Sequence, residues 1–587
     1  MTPLPSGRRG RWTPLCMLLA LVAAAAGVAR LTPGDARADL RLVDSVSIAT
    51  LDPAQISWLQ DIRVIAQLYE GLCAYDRAGN GIVPGCAERL VDPSDDPRRA
   101  WRFRIRADAR WSNGDAVSAD DFLFAWRRAI EPGTARDYAF FFDAVRGVRD
   151  YVAWRGREIE RLARLPAGER ADAVARHLRE ADARFATVGL RCLDAHTLQI
   201  DLERPVAYLP ALLACPVFLP LHRATVEPFG RVGESGTIFY DPQWCKPGRT
   251  CYNGPFALAD WRFKRGLRLS ANPAYRDAAS VHLRSVEWID VADATTAWLM
   301  YDTGAVDWIL SLEAPFVPAL LAGQSPPRRD IHAFPALGTY FYNFNCAARL
   351  PDGRANPLHD PLVRRAIAQA IDRAALVQHV TRRGEPPATT LVPPGLIARY
   401  PAVAGLPFDP DGARRALAQA GWPGGRGFPE VSLLFSNEAD HGLIAQSVAA
   451  MLAQHLGITV RLIGKEAQTY RADKERHEFM LARASWYGDY ADPTSFLDVF
   501  RSDSGNNDSD YRDADYDRRL RAADDLADPA ARLAALAEVE RVLVTDAVPL
   551  LPLFHYVNVY AYNPDALAGV RLDPRLVPAL ATVEIRR

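Results

Sequence analysis

The sequence predicts an α/β protein built from more than one lobe. Three observations carry this. The chain has 587 residues, well beyond the roughly 250–300 at which a single hydrophobic core stops growing. Hydrophobic and charged residues make up 49% and 24% of it, the proportions of a packed globular protein. Residues 431–487 then alternate short apolar runs with helical periodicity. They read as a strand at Val431–Phe435, a helix from Leu443 to Leu456, a strand at Ile458–Ile463, a helix at Ala467–Arg476 and a strand at Glu478–Tyr487. Strands separated by helices imply a sheet with a parallel component.

In chain order, Arg8, Arg9 and Arg11 precede an apolar run from Leu15 to Val28, and Ala36-Arg37-Ala38 forms a small-x-small cleavage signal before Asp39. The run is shorter than the ~20 residues a bilayer-spanning helix needs, so residues 1–38 read as a secretory signal peptide. Cys16 opens the run instead of following it, which is not where a lipid-modified cysteine stands. Leu40 and Leu42 alternate as in a half-buried strand, and Ile62–Leu72 is helical. Tyr75–Gly81 is a turn, and Trp101–Arg106 alternates with the period of a strand. Ser118 caps a helix running to Ile130, with Asp120 and Asp121 placing negative charge in its first turn. The Arg-, Glu- and Ala-rich stretch 156–184 reads as charged surface helices. Asp360 and Pro361 take the cap and first position of a helix whose Val363, Ala366, Ile367, Ala370 and Ile371 share one face.

A net charge of −1 supplies no global field for nucleic acid or an anionic membrane, so no nucleic-acid partner is expected. Export places seven of the eight cysteines in an oxidising compartment. Cys245 and Cys251 are the best-spaced disulfide candidates, followed by Cys73 with Cys86 and Cys192 with Cys215, leaving Cys346 over. Catalytic spacing is missing. His477-Glu478 has no second histidine where a zinc-protease helix requires one, Gly421–Gly427 has no Lys-Ser/Thr ending, and the histidines do not cluster. The chain therefore reads as a non-enzyme without metal or cofactor. Aromatic residues beside polar ones, at Trp58, Tyr252-Asn253, Tyr340–Asn343, Trp486–Asp489 and Phe554–Tyr556, suit a cleft that buries a ligand.

Six motifs are colinear over nearly the whole mature chain. They are Thr50-Leu51-Asp52-Pro53, Tyr69-Glu70-Gly71-Leu72, Trp111-Ser112-Asn113-Gly114-Asp115 with Ala119–Phe122, Tyr252-Asn253-Gly254-Pro255-Phe256, Asp360–Ile367 with Ile371-Asp372-Arg373, and Trp486–Thr494. Together they resemble the oligopeptide-binding proteins of ABC transporters, the family 5 extracytoplasmic solute receptors. The resemblance implies a bilobal periplasmic-binding-protein clamshell with a two-stranded hinge and an extra domain on the first lobe. The first lobe would be 39–72, 190–290 and 556–587, the extra domain 73–189, and the second lobe 291–555. It further implies a periplasmic monomer that binds short peptides in the inter-lobe cleft with high affinity. The closed receptor would deliver them to the membrane permease subunits of an ABC importer. Other solutes of the family (oligosaccharides, metal chelates, murein peptides) and, more remotely, an exported hydrolase are the competing readings.

The site residues follow from the same resemblance. Peptide N–H and C=O groups pair with an exposed strand edge whatever the side chains. Arg483-Ala484-Ser485-Trp486-Tyr487 resembles the family's ligand-pairing strand, and Ser57-Trp58-Leu59 the opposing edge in the first lobe. Asp489 stands where the family places a carboxylate for the ligand's α-ammonium, a group charged at neutral pH whose burial requires a counter-charge. Arg483 and His441 match positions that meet the ligand's C-terminal carboxylate, and Asn253 of the Tyr252–Phe256 motif is counted with the site. Ala467 after Glu466 replaces an aromatic residue of the family, which alters one side-chain pocket.

Overall fold

The computed structural model describes residues 37–56, 58–76, 81–90, 99–134, 138–312, 317–321, 328–438, 440–572 and 575–586. The signal-peptide reading of residues 1–36 and the expectation for Ser57 lie outside the described residues. No helix among the described residues is long and apolar enough to cross a membrane.

A ten-stranded mixed sheet organises the chain. Its strands are β1 (Leu40–Asp44), β2 (Phe256–Arg262), β3 (Gly266–Ala271), β4 (Ser285–Asp290), β5 (Trp308–Ile309), β6 (Ile331–Phe344), β7 (Val431–Ser436), β8 (Val460–Lys465), β9 (Leu481–Tyr487) and β10 (Leu550–Tyr562). Their spatial order is β8-β7-β9-β6-β10-β5-β1-β4-β3-β2. The expected parallel component is present: β7 pairs in parallel with β8 and β9, and β1 with β4 and β5.

Two strands, β6 with 14 residues and β10 with 13, are much longer than the others. They run antiparallel, and their register shifts between Pro335 and Thr339. At that point the sheet passes from one hydrophobic core to another. Phe334 and Tyr560 pack in the first, with Leu40, Leu42, Ile65, Leu68, Trp288 and Trp308. Leu337–Phe344 of β6 and Leu550–Leu553 of β10 pack in the second, with Ile367, Leu433, Val448 and Leu481. Two cores joined by two continuous strands are a bilobal clamshell with a two-stranded hinge.

Trp111, Phe122 and Trp126 of the extra domain belong to the first core, so this domain is fused to the first lobe and does not stand alone. Two boundaries differ from the sequence reading. The described residues of 291–334, assigned there to the second lobe, sit with the first: β5 pairs with β1, and Ala297, Val306 and Ile309 pack on Val43, Val559 and Ala561. Strands Leu190–Asp194 and Thr197–Asp201, assigned to the first lobe, form a three-stranded antiparallel sheet with Ala100–Arg104 of the extra domain. In both cases the pairing partner lies far away in the chain, where local periodicity carries no information.

The charged stretch forms helices Val148–Ala163 and Ala167–Phe185, but it is not solvated all round. Leu162, Ala173, His177 and Ala181 within it are buried, as are Tyr151, Arg155 and Phe185 beside it, and the Arg155 guanidinium meets the Glu131 carboxylate at 2.6 Å. None of the expected disulfides is formed among the described cysteines. Cys86 instead donates to the Glu70 carbonyl at 3.3 Å and Cys215 to the Asp489 carbonyl at 3.4 Å.

Candidate functional site

β9 forms one wall of the cleft. One edge pairs with β6 along its full length, from Leu481 opposite Phe344 to Tyr487 opposite Gly338. The other edge pairs with β7 only at Leu481 and Ala482. The Arg483 carbonyl accepts from the Tyr470 hydroxyl, and beyond it, over Ala484–Trp486, that edge pairs with no other strand among the described residues. This part of the edge can accept an extended ligand, in the way an exposed sheet edge accepts an added strand.

Past the strand, Gly488 lets the chain turn closely against the hinge. Its N–H donates to the Leu337 carbonyl at 2.7 Å, and a Cβ there would lie 2.7 Å from Phe496 and 2.8 Å from Leu337. This turn places Asp489, whose N–H donates to Ser495 Oγ at 2.9 Å, while Trp486 Nε1 donates to the Ser495 carbonyl at 2.6 Å. Burial pushes the Asp489 carboxyl up to about 7, partly opposed by a hydrogen bond from Tyr138 and the positive charge of Arg575. Asp489 and Trp486 line a cavity of about 580 Å³ together with Phe140, Tyr490 and Asp498. A carboxylate desolvated this far is complementary to a cation that can replace its lost hydration.

The other end of the strand faces a cavity of about 390 Å³ lined by Leu59, Tyr340, Arg383, His441, Arg483, Ser485, Tyr487 and Tyr556. The Arg483 guanidinium lies 4.9 Å from the Tyr340 ring centroid and donates to the Tyr556 hydroxyl at 3.0 Å. His441 Nδ1 is 3.2 Å from the Tyr340 hydroxyl. Burial, together with Arg483 and Arg383, holds His441 down to about 4, so the ring is neutral at ordinary pH and the positive charge here belongs to arginine. The Tyr487 and Tyr556 rings stack at 4.7 Å. Only glycine at 338 permits this, since a Cβ there would meet the Tyr487 ring at 2.6 Å.

Asp489, Trp486, Tyr487, Ser485, Arg483 and His441 thus line two cavities along one strand and its turn. Leu59 also lines the Arg483 cavity, but not as part of an extended edge: it opens the helix Leu59–Leu68, with Trp58 as its cap. Helix formation wins there because Val64, Ile65 and Leu68 share a buried face, and Arg63 anchors the helix to Asp44 at 3.0 Å. Asn253 is not in the cleft. It is buried, with its amide donating to the Glu70 carbonyl at 2.9 Å and its oxygen accepting from the Glu70 N–H at 3.1 Å. Sequence reasoning missed Arg383, Tyr138 and Arg575, and no local motif marks any of them. Arg383 reaches the cleft paired with Asp440 at 2.7 Å.

Residues 81–508 match the family of bacterial extracellular solute-binding proteins, family 5. This chain belongs to that family. The periplasmic murein peptide-binding protein MppA of Escherichia coli is 30% identical over 517 residues, covering 87% of this chain and 86% of that protein. The periplasmic oligopeptide-binding protein OppA of the same species is 27% identical over 524 residues, covering 88% and 87%. The unliganded open form of MppA superposes with a TM-score of 0.75 at 28% identity, covering 94% of this chain and 98% of that one. Haemophilus influenzae OppA in complex with the peptide RPPGFSPFR does so with a TM-score of 0.68 at 25% identity, covering 94% and 100%.

Proposed function

We propose that this chain is a periplasmic, monomeric receptor that closes on short peptides and hands them to the permease subunits of an ABC importer, without catalysing a reaction. The observation that carries the reading is the strand edge Ala484–Trp486, which pairs with no second strand among the described residues and is flanked by a carboxylate at Asp489 and a guanidinium at Arg483. An unmodified peptide is the common ligand with a hydrogen-bonding backbone between one ammonium and one carboxylate. From residue 483 to 487 the strand spans about 13 Å at ~3.3 Å per residue, before the chain turns to Asp489. Allowing for the reach of the arginine side chain, that suits ligands of roughly three to five residues. Main-chain pairing gives affinity with little side-chain preference. The relatives named as periplasmic oligopeptide- and murein peptide-binding proteins support the same ligand class, compartment and transport role. Leu59 and His441 would contribute the first-lobe wall and a neutral hydrogen-bonding group.

Another relative, 29% identical over 568 residues, is named as a probable deoxycholate-binding periplasmic protein. Deoxycholate has a carboxylate but no ammonium, so it would use the Arg483 cavity and leave Asp489 unpaired. Native mass spectrometry of the purified mature protein separates the readings. Co-purified peptides on the wild type, much reduced on Asp489→Ala, are expected. The same non-peptide ligand on both proteins would refute the peptide reading.

A further inference from the structure

The segment 489–491 belongs covalently to the second lobe, yet its contacts lie largely with the first. Tyr490 is 6% exposed. Its ring lies face to face with Tyr208, with centroids 5.1 Å apart and planes 4° from parallel, and edge-on to Phe141 at 5.8 Å. The neighbouring Ala491 N–H donates to the Tyr75 hydroxyl at 3.3 Å, and the Asp489 carbonyl accepts from Cys215 Sγ at 3.4 Å. Tyr75, Phe141, Tyr208 and Cys215 all pack with the first core or the extra domain fused to it. Charge surrounds this aromatic socket: Arg532 of the second lobe lies 5.3 Å from the Tyr208 ring centroid, and Arg204 reaches Asp524 across the cleft at 3.6 Å.

On its own lobe the segment is rigid. Asp489 N–H and Trp486 Nε1 are both tied to Ser495, and Asp492 accepts from Thr494 and from Arg532. A movement of the second lobe away from this socket would therefore withdraw Tyr490 as one unit, carrying Asp489 with it. From this geometry we propose that Tyr490 is a positioning residue. It docks into the Tyr208–Phe141 socket and so couples capture of the ligand's ammonium at Asp489 to closure of the lobes. A ligand that fixes Asp489 against the first lobe also seats the ring, and a seated ring holds Asp489 where the ammonium arrives. The inference rests on the peptide reading for its ligand, but the clasp itself acts without one.

The test is small-angle X-ray scattering on wild type, Tyr490→Phe, Tyr490→Ala and Tyr208→Leu, alone and titrated with trialanine, with thermal melts to verify folding. Tyr490→Phe keeps the ring, loses only the hydroxyl contact with Thr494 Oγ1 at 3.3 Å, and should stay closer to the wild type than either of the other variants in ligand-free scattering. Tyr490→Ala and Tyr208→Leu should be more extended without ligand and need roughly 10-fold more trialanine to close, the change expected from losing one aromatic stack. If folded Tyr490→Ala scatters like the wild type and closes at the same trialanine concentration, the coupling is refuted. If trialanine closes none of the proteins, the peptide reading is in difficulty. The ligand-free comparison then decides the clasp alone: more extended alanine and leucine variants uphold it, and unchanged scattering overturns it.

Discussion

Replacing Asp489 with asparagine should stabilise the ligand-free protein and abolish recognition of a free amine. Burial raises the Asp489 carboxyl from an ordinary 3.8 to about 7. The folded state therefore holds this proton more tightly than the unfolded state. The sign follows from linkage: below pH ~4 both states are protonated and the site costs nothing. Between pH ~4 and 7 the unfolded carboxyl ionises while the folded one keeps its proton, so stability falls progressively, and above 7 both are charged and the cost levels off. At ~1.4 kcal/mol for each tenfold change in proton affinity, the full cost is roughly 4 kcal/mol. Asp489→Asn keeps the shape and loses the charge, so its melting temperature should exceed the wild type's at pH 7.5, with the gap closing towards pH 4. Binding has the opposite dependence. An α-ammonium needs the ionised carboxylate, so wild-type affinity for trialanine should fall about tenfold per pH unit below ~7, with proton release on binding. N-acetyltrialanine should show no such slope, and the asparagine variant should lose about 2–5 kcal/mol for the free amine. Isothermal titration calorimetry at pH 5.5, 6.5 and 7.5 in two buffers of different ionisation enthalpy measures both affinity and proton release. A flat wild-type affinity over that range, or an asparagine variant that binds equally well, would falsify the ammonium–carboxylate pairing.

Arg483→Ala should weaken free-acid peptides by about 1.5–3 kcal/mol, the range for hydrogen bonds to a charged group. It should leave C-terminal amides nearly unchanged, which competition calorimetry with the two peptide forms can read. Because burial and the neighbouring arginines hold His441 down to about 4, His441→Asn should leave the slope of affinity between pH 5.5 and 8 intact, and a lost slope would place the titrating group at His441. Glu540 is fully buried and accepts from Leu391 N–H, Val392 N–H and the Tyr400 hydroxyl at 2.9, 2.7 and 2.7 Å. Glu540→Ala orphans those donors and should cost about 3 kcal/mol in urea denaturation, while affinity in native buffer stays unchanged. Asn253→Ala should likewise destabilise the first lobe, by about 2 kcal/mol through the unsatisfied Glu70 backbone, without altering trialanine affinity.

Local chemistry made much of the fold readable. The helices at Ala119–Ile130 and Pro361–Gln369 begin where Ser118 and Asp360 offer side-chain oxygens to free N–H groups, and β7 to β9 follow the periodicity of residues 431–487 with ends shifted by up to three residues. The site was readable where it is contiguous. Arg483, Ser485, Trp486, Tyr487 and Asp489 lie on one strand and the turn after it, so spacing along the chain translates directly into spacing in space. Leu59 failed as an edge because helix packing of Val64, Ile65 and Leu68 overrides the extended reading. Asn253 failed because a motif residue can serve the backbone of another motif, here Glu70, as readily as a ligand.

The sequence by itself determined the family and the α/β class, and it located the strand at residues 481–487 and the aspartate beyond it, since each is written in short stretches of chain. Only the tertiary structure decided that Ala297, Val306 and Ile309 join the first lobe, that Tyr138 and Arg575 approach Asp489, that His441 is neutral, and that Tyr490 is seated between Tyr208 and Phe141. Each of these depends on groups brought together from distant parts of the chain. Burial and electrostatic influence are set by distance through space, and no local pattern encodes that distance.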